Sequence, residues 1–163
     1  ILEAILGGGM SSRLFQELRE ERGLVYSTYS FISLYEDYGL WGAYAGTNKE
    51  QAQTVVNAIT EQLYRLTSEP IKNEELVRAR QQLKGSLLMG LESTSNRMSR
   101  IAKDELFMED GLTPEQEIEI LEAVSVEDLQ RLSQRLLAKG VSLAAIGPIE
   151  EGELTLPSFR MSE

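Results

Sequence analysis

Apolar residues follow a helical spacing over most of this 163-residue chain, and the spacing is interrupted by short glycine, proline and serine breaks. The pattern predicts a first helix that is already in progress at Ile1 and is ended by Gly7, and a second from about 12 to 22. A third runs from a capping box at Thr47–Glu50 to Pro70, and a fourth starts at Asn73, bends near Gly85 and Gly90 and resumes after Ser95. Two more start at Thr113 and at Ser125, and the last ends near Gly140.

Three stretches lack the helical period and are rich in β-branched or aromatic residues, as strands are. Residues 25–33 and 40–47 are separated by a short polar segment ending at Gly39, which predicts an antiparallel hairpin. Residues 141–146 are apolar and end at Gly147–Pro148, so we expect a buried strand there.

These elements predict an α+β fold with a mostly antiparallel sheet covered on one face by helices. Three strands make a small sheet for so much helix, and the first helix has no visible start. We therefore expect at least one strand to precede residue 1. Residues 1–150 are expected to form one domain, and residues 151–163 a polar tail that is frayed.

Composition excludes several classes of function. Sixteen basic and 26 acidic side chains give a net charge of −10, which repels nucleic acid, and no apolar stretch is long enough to span a membrane. Cysteine and histidine are both absent, so a catalytic triad, a thiolate nucleophile and a histidine or cysteine zinc site are all excluded. The lack of cysteine also suits a reducing compartment.

The glycine run Gly7–Gly9 allows three interpretations. Free N–H groups at the next helix could hold an anion, with Ser11 or Ser12 as the cap, but the lysine of a P-loop is missing. The run could be only a flexible break between helices. It could also be a substrate-side loop, because glycine lets a peptide approach the backbone closely.

Arg19 and Tyr26 lie on either side of Gly23, which is placed to end the helix in a left-handed cap. Such a turn could let both side chains donate to a peptide carbonyl or to the oxyanion formed from it. The simpler interpretation is that Arg19 lies on a solvated helix face and that Tyr26 is one of six ordinary tyrosines. Acidic pairs are interpreted as solvated surface rather than metal ligands: Glu117 with Glu119, and Glu105 with Glu109.

The segment from Leu6 to Ser27, LGGGMSSRLFQELREERGLVYS, closely resembles the second homologous domain of insulinase-like (pitrilysin) zinc peptidases. That family includes the mitochondrial processing peptidase and many bacterial zinc proteases. The helix pair from about 49 to 109, Ala123–Leu129 and Ala144–Gly147 also fit its layout, so the resemblance covers nearly the whole chain.

The resemblance implies one half of a two-domain clamshell whose first domain carries zinc on an inverted H-x-x-E-H motif. This chain has no such motif, so it implies no cofactor here and zinc in a homologous partner domain, on the same chain or on another subunit. It implies that Arg19 and Tyr26, seven positions apart, are the catalytic residues contributed to a peptide substrate, and that Gly7–Gly9 form the substrate-side loop.

The predicted function is thus the C-terminal half of a zinc metalloendopeptidase that is not catalytic alone. A non-catalytic subunit or scaffold of the same family is the alternative, and an independent peptide-binding module is a third. A homodimer stays open. A bacterial-type cytoplasmic location is expected, with the mitochondrial or plastid matrix as the alternative.

Overall fold

The computed structural model describes residues 1–107 and 111–157. The elements in chain order are α1 (Leu2–Gly7), a π-helix (Phe15–Glu21), β1 (Ser27–Leu34), β2 (Gly39–Gly46), a 3₁₀ turn (Lys49–Gln51), α2 (Ala52–Ser68), α3 (Asn73–Gly90), α4 (Thr94–Phe107), α5 (Pro114–Ala123) and α6 (Val126–Leu137). This order confirms the α+β class and the break between α3 and α4. None of the described helices is both long and apolar enough to cross a bilayer.

The two strands form the predicted antiparallel hairpin, with Ser27 opposite Gly46 and Leu34 opposite Gly39. One face turns Trp41, Ala43 and Ala45 toward the helices, where they pack on the core. Successive side chains of a strand point to opposite faces, so the other face carries the remaining aromatic residues. On it, the rings of Tyr29 and Tyr44 stack with centroids 4.9 Å apart.

The expected strand at 141–146 is wrong for this structure. Within the described residues this segment pairs with no other strand, and all of it except Val141 is exposed. A strand is stable only where a neighbour takes up its N–H and C=O groups. The apolar sequence is therefore compatible with a strand, but no described neighbour makes it one.

The core lies where α1, the π-helix, α2, α3 and α6 meet behind the hairpin. Its most deeply buried leucines are Leu6, Leu14, Leu18 and Leu66, all at 0% exposure. Leu6 belongs to α1, Leu14 and Leu18 to the start and middle of the π-helix region, and Leu66 to α2. Because three of the four precede residue 20, the start of the chain lies in the middle of the fold.

Gly7 brings the end of α1 into direct backbone contact with β1. A Cβ placed on Gly7 would lie 2.2 Å from the Ser30 N atom, a distance at which neither backbone could stay in place. The Ser30 hydroxyl donates to the carbonyl oxygen of Glu3 at 2.7 Å. Glycine is needed here for close approach and not for an unusual φ angle.

Helix caps follow the sequence in two cases and differ in a third. Thr113 caps α5 and Ser125 caps α6 with reciprocal bonds, as expected. Before α2 the cap is Asn48, whose side chain accepts from the Gln51 N–H at 2.9 Å. The predicted Thr47 cap is wrong because the Thr47 hydroxyl instead donates to the Leu24 carbonyl oxygen at 2.6 Å.

The segment after Glu150 is held against α2 rather than frayed, as far as Pro157. Thr155 and Gln53 exchange two hydrogen bonds of 2.8 Å, and Lys49 pairs with Glu153 at 3.0 Å. Residues 158–163 lie outside the described residues. Fraying was the wrong expectation because the partners of this segment lie about a hundred positions earlier.

We predict that Gly7→Ala destabilises the protein by about 1–3 kcal/mol, because the added methyl group forces α1 and β1 apart. Gly85→Ala is the matched control: Gly85 is inside α3, and a Cβ there meets nothing within 4 Å. That change should stabilise by about 0.5–1 kcal/mol through helix propensity. Urea unfolding measures both, and equal effects of the two changes would contradict the close contact.

Candidate functional site

The helix that carries Arg19 is a π-helix with a glycine-ended last turn. The Arg22 N–H donates to the Glu17 carbonyl oxygen five residues back at 3.3 Å, and the Leu24 N–H reaches the Leu18 carbonyl oxygen at 2.7 Å. Gly23 has φ +60°, which confirms the predicted left-handed cap. Wide turns of this kind occur frequently at functional sites.

The serines before this helix do not cap it, so that prediction is wrong. The Ser12 hydroxyl donates to the Gly9 carbonyl oxygen at 2.5 Å instead of accepting from a helix N–H. The Gln16 side chain donates to the Met10 carbonyl oxygen at 2.7 Å. Both bonds close the loop that follows the glycine run.

Arg19 is an exposed cation without an acidic partner. Its guanidinium carbon lies 5.7 Å from the centroid of the Phe15 ring, within the range of a cation–π contact. No carboxylate of residues 1–107 or 111–157 forms an ion pair with it, whereas neighbouring Arg22 pairs with Glu17. None of its five guanidinium donors has an acceptor in the described part of the chain, so they can reach a ligand oxygen.

Tyr26 begins the hairpin and is 74% exposed. Its backbone N–H donates to the Gly46 carbonyl oxygen at 2.8 Å, although the strand register pairs Gly46 with Ser27. Tyr26 lies just before β1, so this bond is offset by one position from the register and ties the residue to the end of β2. The Tyr26 hydroxyl has no hydrogen-bond partner in the described part of the chain.

The structure places Arg19 and Tyr26 on the two sides of one turn without joining them. Neither a hydrogen bond nor a ring contact links the two side chains within the described residues. Val25, buried to 8% exposure, anchors the turn between them. The turn therefore presents two unused donors, one cationic and one neutral, which suits a carbonyl or carboxylate oxygen.

The three glycines of the run have different surroundings. Gly7 is buried against β1, Gly8 is half-buried, and Gly9 is exposed. The Gln82 amide of α3 donates to the Gly8 carbonyl oxygen at 2.6 Å. A cavity of about 20 Å³ lies nearby between Ser12 and α3, and it has room for one water molecule and not for a phosphate group. The substrate-side role of the run stays a prediction.

Arg13 and Glu75 form a two-pronged ion pair that sequence reasoning missed. The two bonds measure 2.7 and 2.8 Å, and each side chain is 14% exposed. Burial raises the pKa of Glu75. The hydrogen bonds and positive charge of Arg13, together with a hydrogen bond from the Lys72 N–H, lower it by more, so the pKa lies below its usual range. The residues are 62 positions apart, and no local pattern signals the contact.

The residues of this chain do not fit a zinc site. In residues 1–107 and 111–157 no three acidic side chains converge, and the sequence supplies neither histidine nor cysteine. Glu117 is engaged by Arg100 at 2.8 and 2.9 Å, and Glu119 and Glu105 are exposed. Glu109 lies outside the described residues.

Comparison with known proteins points to peptidases. The sequence profile described as the peptidase M16 inactive domain matches residues 1–83. The uncharacterized zinc protease YmxG of Bacillus subtilis is 43% identical over 148 residues, which are 91% of this chain and 36% of that protein. An uncharacterized zinc protease of Streptomyces coelicolor is 38% identical over 93% of this chain and 33% of its own length. The chain thus spans about a third of these curated relatives.

Solved structures share the fold. A protease from Helicobacter pylori superposes with a TM-score of 0.69 at 28% identity, covering 82% of this chain and 32% of that one. A peptidase M16 inactive domain from Pseudomonas fluorescens gives 0.70 at 22% identity, covering 86% and 32%. The second likeness concerns the fold alone.

We predict that Glu75→Gln destabilises the protein by about 1–3 kcal/mol, because it leaves Arg13 largely buried without its counter-ion. The pKa of Glu75 is lower in the folded state than in the unfolded chain. The ion pair therefore contributes fully to the free energy of unfolding above the ordinary glutamate pKa of about 4.3, and this contribution is lost as the pH falls through the folded-state pKa. Unfolding at pH 7 and in the acid range below about pH 4 measures both effects.

The control for this change is Glu20→Gln, which alters an exposed carboxylate with no partner in the described residues. It should change stability by less than about 0.5 kcal/mol at either pH. An equal loss from both variants would mean that net charge, and not the ion pair, sets the effect.

Proposed function

The chain belongs to the family of peptidase M16 inactive domains, and on this basis we propose that it forms the substrate-facing half of a zinc metalloendopeptidase. Its role is to bind the peptide that is cleaved and to stabilise the negative charge that develops on the scissile carbonyl group. The observation that carries the proposal is a pair of donors, Arg19 and Tyr26, at one turn of a chain that contains no histidine. Neither donor has a hydrogen-bond acceptor within residues 1–107 and 111–157. Both residues fall within the matched region.

The chemistry follows from the two donors. The Tyr26 hydroxyl and the Arg19 guanidinium would donate to the carbonyl oxygen of the bond to be cleaved, and these bonds strengthen as nucleophilic attack moves negative charge onto that oxygen. In water such bonds are weak. They gain strength when a second domain covers the exposed turn and lowers the local dielectric constant.

A homologous zinc-binding domain is the proposed partner, on the same polypeptide or on a second subunit. Relatives three times longer than this chain carry the name zinc protease. The sequence itself has neither histidine nor cysteine, and no acidic cluster that could hold a metal occurs in residues 1–107 and 111–157. A peptide is the proposed substrate. Gly8 and Gly9, next to the exposed Met10, would form the loop along which its backbone lies.

The cytoplasm is the proposed location. The support is indirect: the named relatives come from bacteria such as Bacillus subtilis, and the chain contains no cysteine. Fractionation of cells that produce the full-length protein tests it, and recovery with the membrane or the secreted fraction would contradict it.

We predict that Tyr26→Phe in the full-length protein lowers kcat about 10²- to 10³-fold and leaves the bound zinc unchanged, because one oxyanion donor is lost while the metal ligands are untouched. Tyr38→Phe is the matched control, since that tyrosine is 67% exposed in the same hairpin and should keep full turnover. Peptide cleavage and zinc analysis of the purified variants measure the two quantities. Unchanged turnover of the Tyr26 variant would contradict the proposed role of Tyr26 as a donor to the oxyanion.

We also predict that residues 1–163 alone bind no stoichiometric zinc and cleave no peptide, because the chain has no histidine or cysteine ligand. Elemental analysis after dialysis and a fluorescent peptide assay check this. Cleavage by the isolated chain that survives a chelator would show that it carries a complete active site of another kind.

A further inference from the structure

Phe15 and Arg19 contact each other on one side of the π-helix. They are four positions apart, and the Arg19 guanidinium carbon lies 5.7 Å from the centroid of the Phe15 ring. Phe15 is half-buried and follows Leu14, which is fully buried in the core, whereas Arg19 is exposed. The ring is therefore the fixed partner of the contact, and the guanidinium is the partner that a ligand can reach.

Several carboxylates are close to Arg19 in sequence, yet none of them binds it in the described part of the chain. Glu17 pairs with Arg22, and Glu20 and Glu21 are exposed. Arg19 forms neither an ion pair nor a hydrogen bond within residues 1–107 and 111–157. Among these residues, the Phe15 ring is thus the contact that orients the guanidinium.

An aromatic ring and a carboxylate hold a guanidinium in different ways. A carboxylate accepts hydrogen bonds from the N–H groups, often two at once, and so takes donors away from any ligand. It also cancels the positive charge. A ring attracts the cation through the negative charge on its face and leaves the N–H groups that point past it available. A ring is therefore the partner that suits an arginine whose donors serve a ligand.

We propose that Phe15 is a positioning residue of the site formed by Arg19 and Tyr26. Its ring holds the Arg19 guanidinium toward the bound peptide and leaves the donors and the positive charge free. This inference rests on the proposed function, in which Arg19 donates to the carbonyl oxygen of the bond that is cleaved. Phe15 acts through Arg19 and does not touch the reacting atoms. The contact strengthens when a second domain covers the turn, because a cation–π contact is worth more without water.

Fluorination of the Phe15 ring in the full-length protein tests the contact with little change of shape. Fluorine withdraws negative charge from the ring face, so a trifluorinated phenylalanine at this position should lower kcat for peptide cleavage about three- to tenfold. KM should change little, because Arg19 acts on charge that develops in the transition state. Phe15→Leu should lose about as much kcat, and Phe15→Tyr, which keeps a ring, should retain at least about half of it. Unchanged kcat of the fluorinated protein would overturn the proposal.

Arg19→Met separates an effect through Arg19 from any other effect of Phe15. In that background Phe15→Leu should lower kcat by less than about twofold, because the cation that the ring positions is gone. A loss as large as in the parent protein would overturn the proposal, since Phe15 would then contact the substrate or support the fold.

Tyr35→Leu is the matched control for the loss of a ring. Tyr35 is 56% exposed, and its ring stacks on the Tyr38 ring with centroids 4.6 Å apart. This variant should keep full turnover. A loss of kcat equal to that of Phe15→Leu would overturn the proposal, because it would follow from removing any ring.

The same variants distinguish a failure of this inference from a failure of the proposed function. If Arg19→Met lowers kcat and Phe15→Leu does not, the site stands and the positioning role is wrong. If neither Arg19→Met nor Tyr26→Phe lowers kcat, the proposed function is wrong. NMR of the arginine side chains reports the contact without turnover: the Phe15 ring should shift the Arg19 Cδ protons upfield, and Phe15→Leu should remove that shift. A parent protein without the shift would overturn the inference.

Discussion

The contact of Gly7 with Ser30 is the constraint on which the site depends. The end of α1 lies against the middle of β1 with no room for a side chain, and this contact closes a loop made of residues 8–29. Both proposed functional side chains lie within that loop. Because its two ends meet in the core, the turn that carries Arg19 and Tyr26 has a fixed base even though its surface is exposed.

Two polar contacts hold the same loop on α3. The Arg13–Glu75 pair fixes the start of the helix that carries Arg19, and Gln82 holds the carbonyl oxygen of Gly8. The Arg13–Glu75 pair is largely buried and forms two hydrogen bonds between its side chains, as buried polar groups require. A turn that binds a ligand requires a rigid base and donors that are free to bond the ligand. Donors that are already held in position lose little conformational entropy when the ligand binds.

Arg19 and Tyr26 have no hydrogen-bond acceptor among the described residues, and each lies where the backbone departs from a regular helix or strand. Neighbouring Arg22 reaches back to Glu17, while Arg19 extends over Phe15 and meets no carboxylate in the described residues. In a chain of net charge −10 an arginine without a counter-ion is unusual, and its exposure keeps the desolvation cost small. The offset at Gly46 similarly separates Tyr26 from the regular alternation of β1.

Local chemistry was predictable from the sequence, and distant contacts were not. Gly23, Thr113 and Ser125 act on residues within a few positions of themselves, and their roles were predicted correctly. Ser12 and Thr47 were predicted as caps and serve other partners, because hydroxyl groups bond to whichever backbone group the fold brings near. The absence of histidine and cysteine ligands for zinc follows from composition alone and needed no structure.

The sequence by itself determined the order of helices and the hairpin, because helical and strand periodicity act over a few residues. It also determined that this chain contains no histidine or cysteine that could ligate zinc. The tertiary structure alone decided why Gly7 must be glycine, which carboxylate holds Arg13, and that residues 141–146 lack a strand partner in the described part of the chain. Each of these depends on a neighbour remote in sequence, and only chain folding determines which neighbour that is.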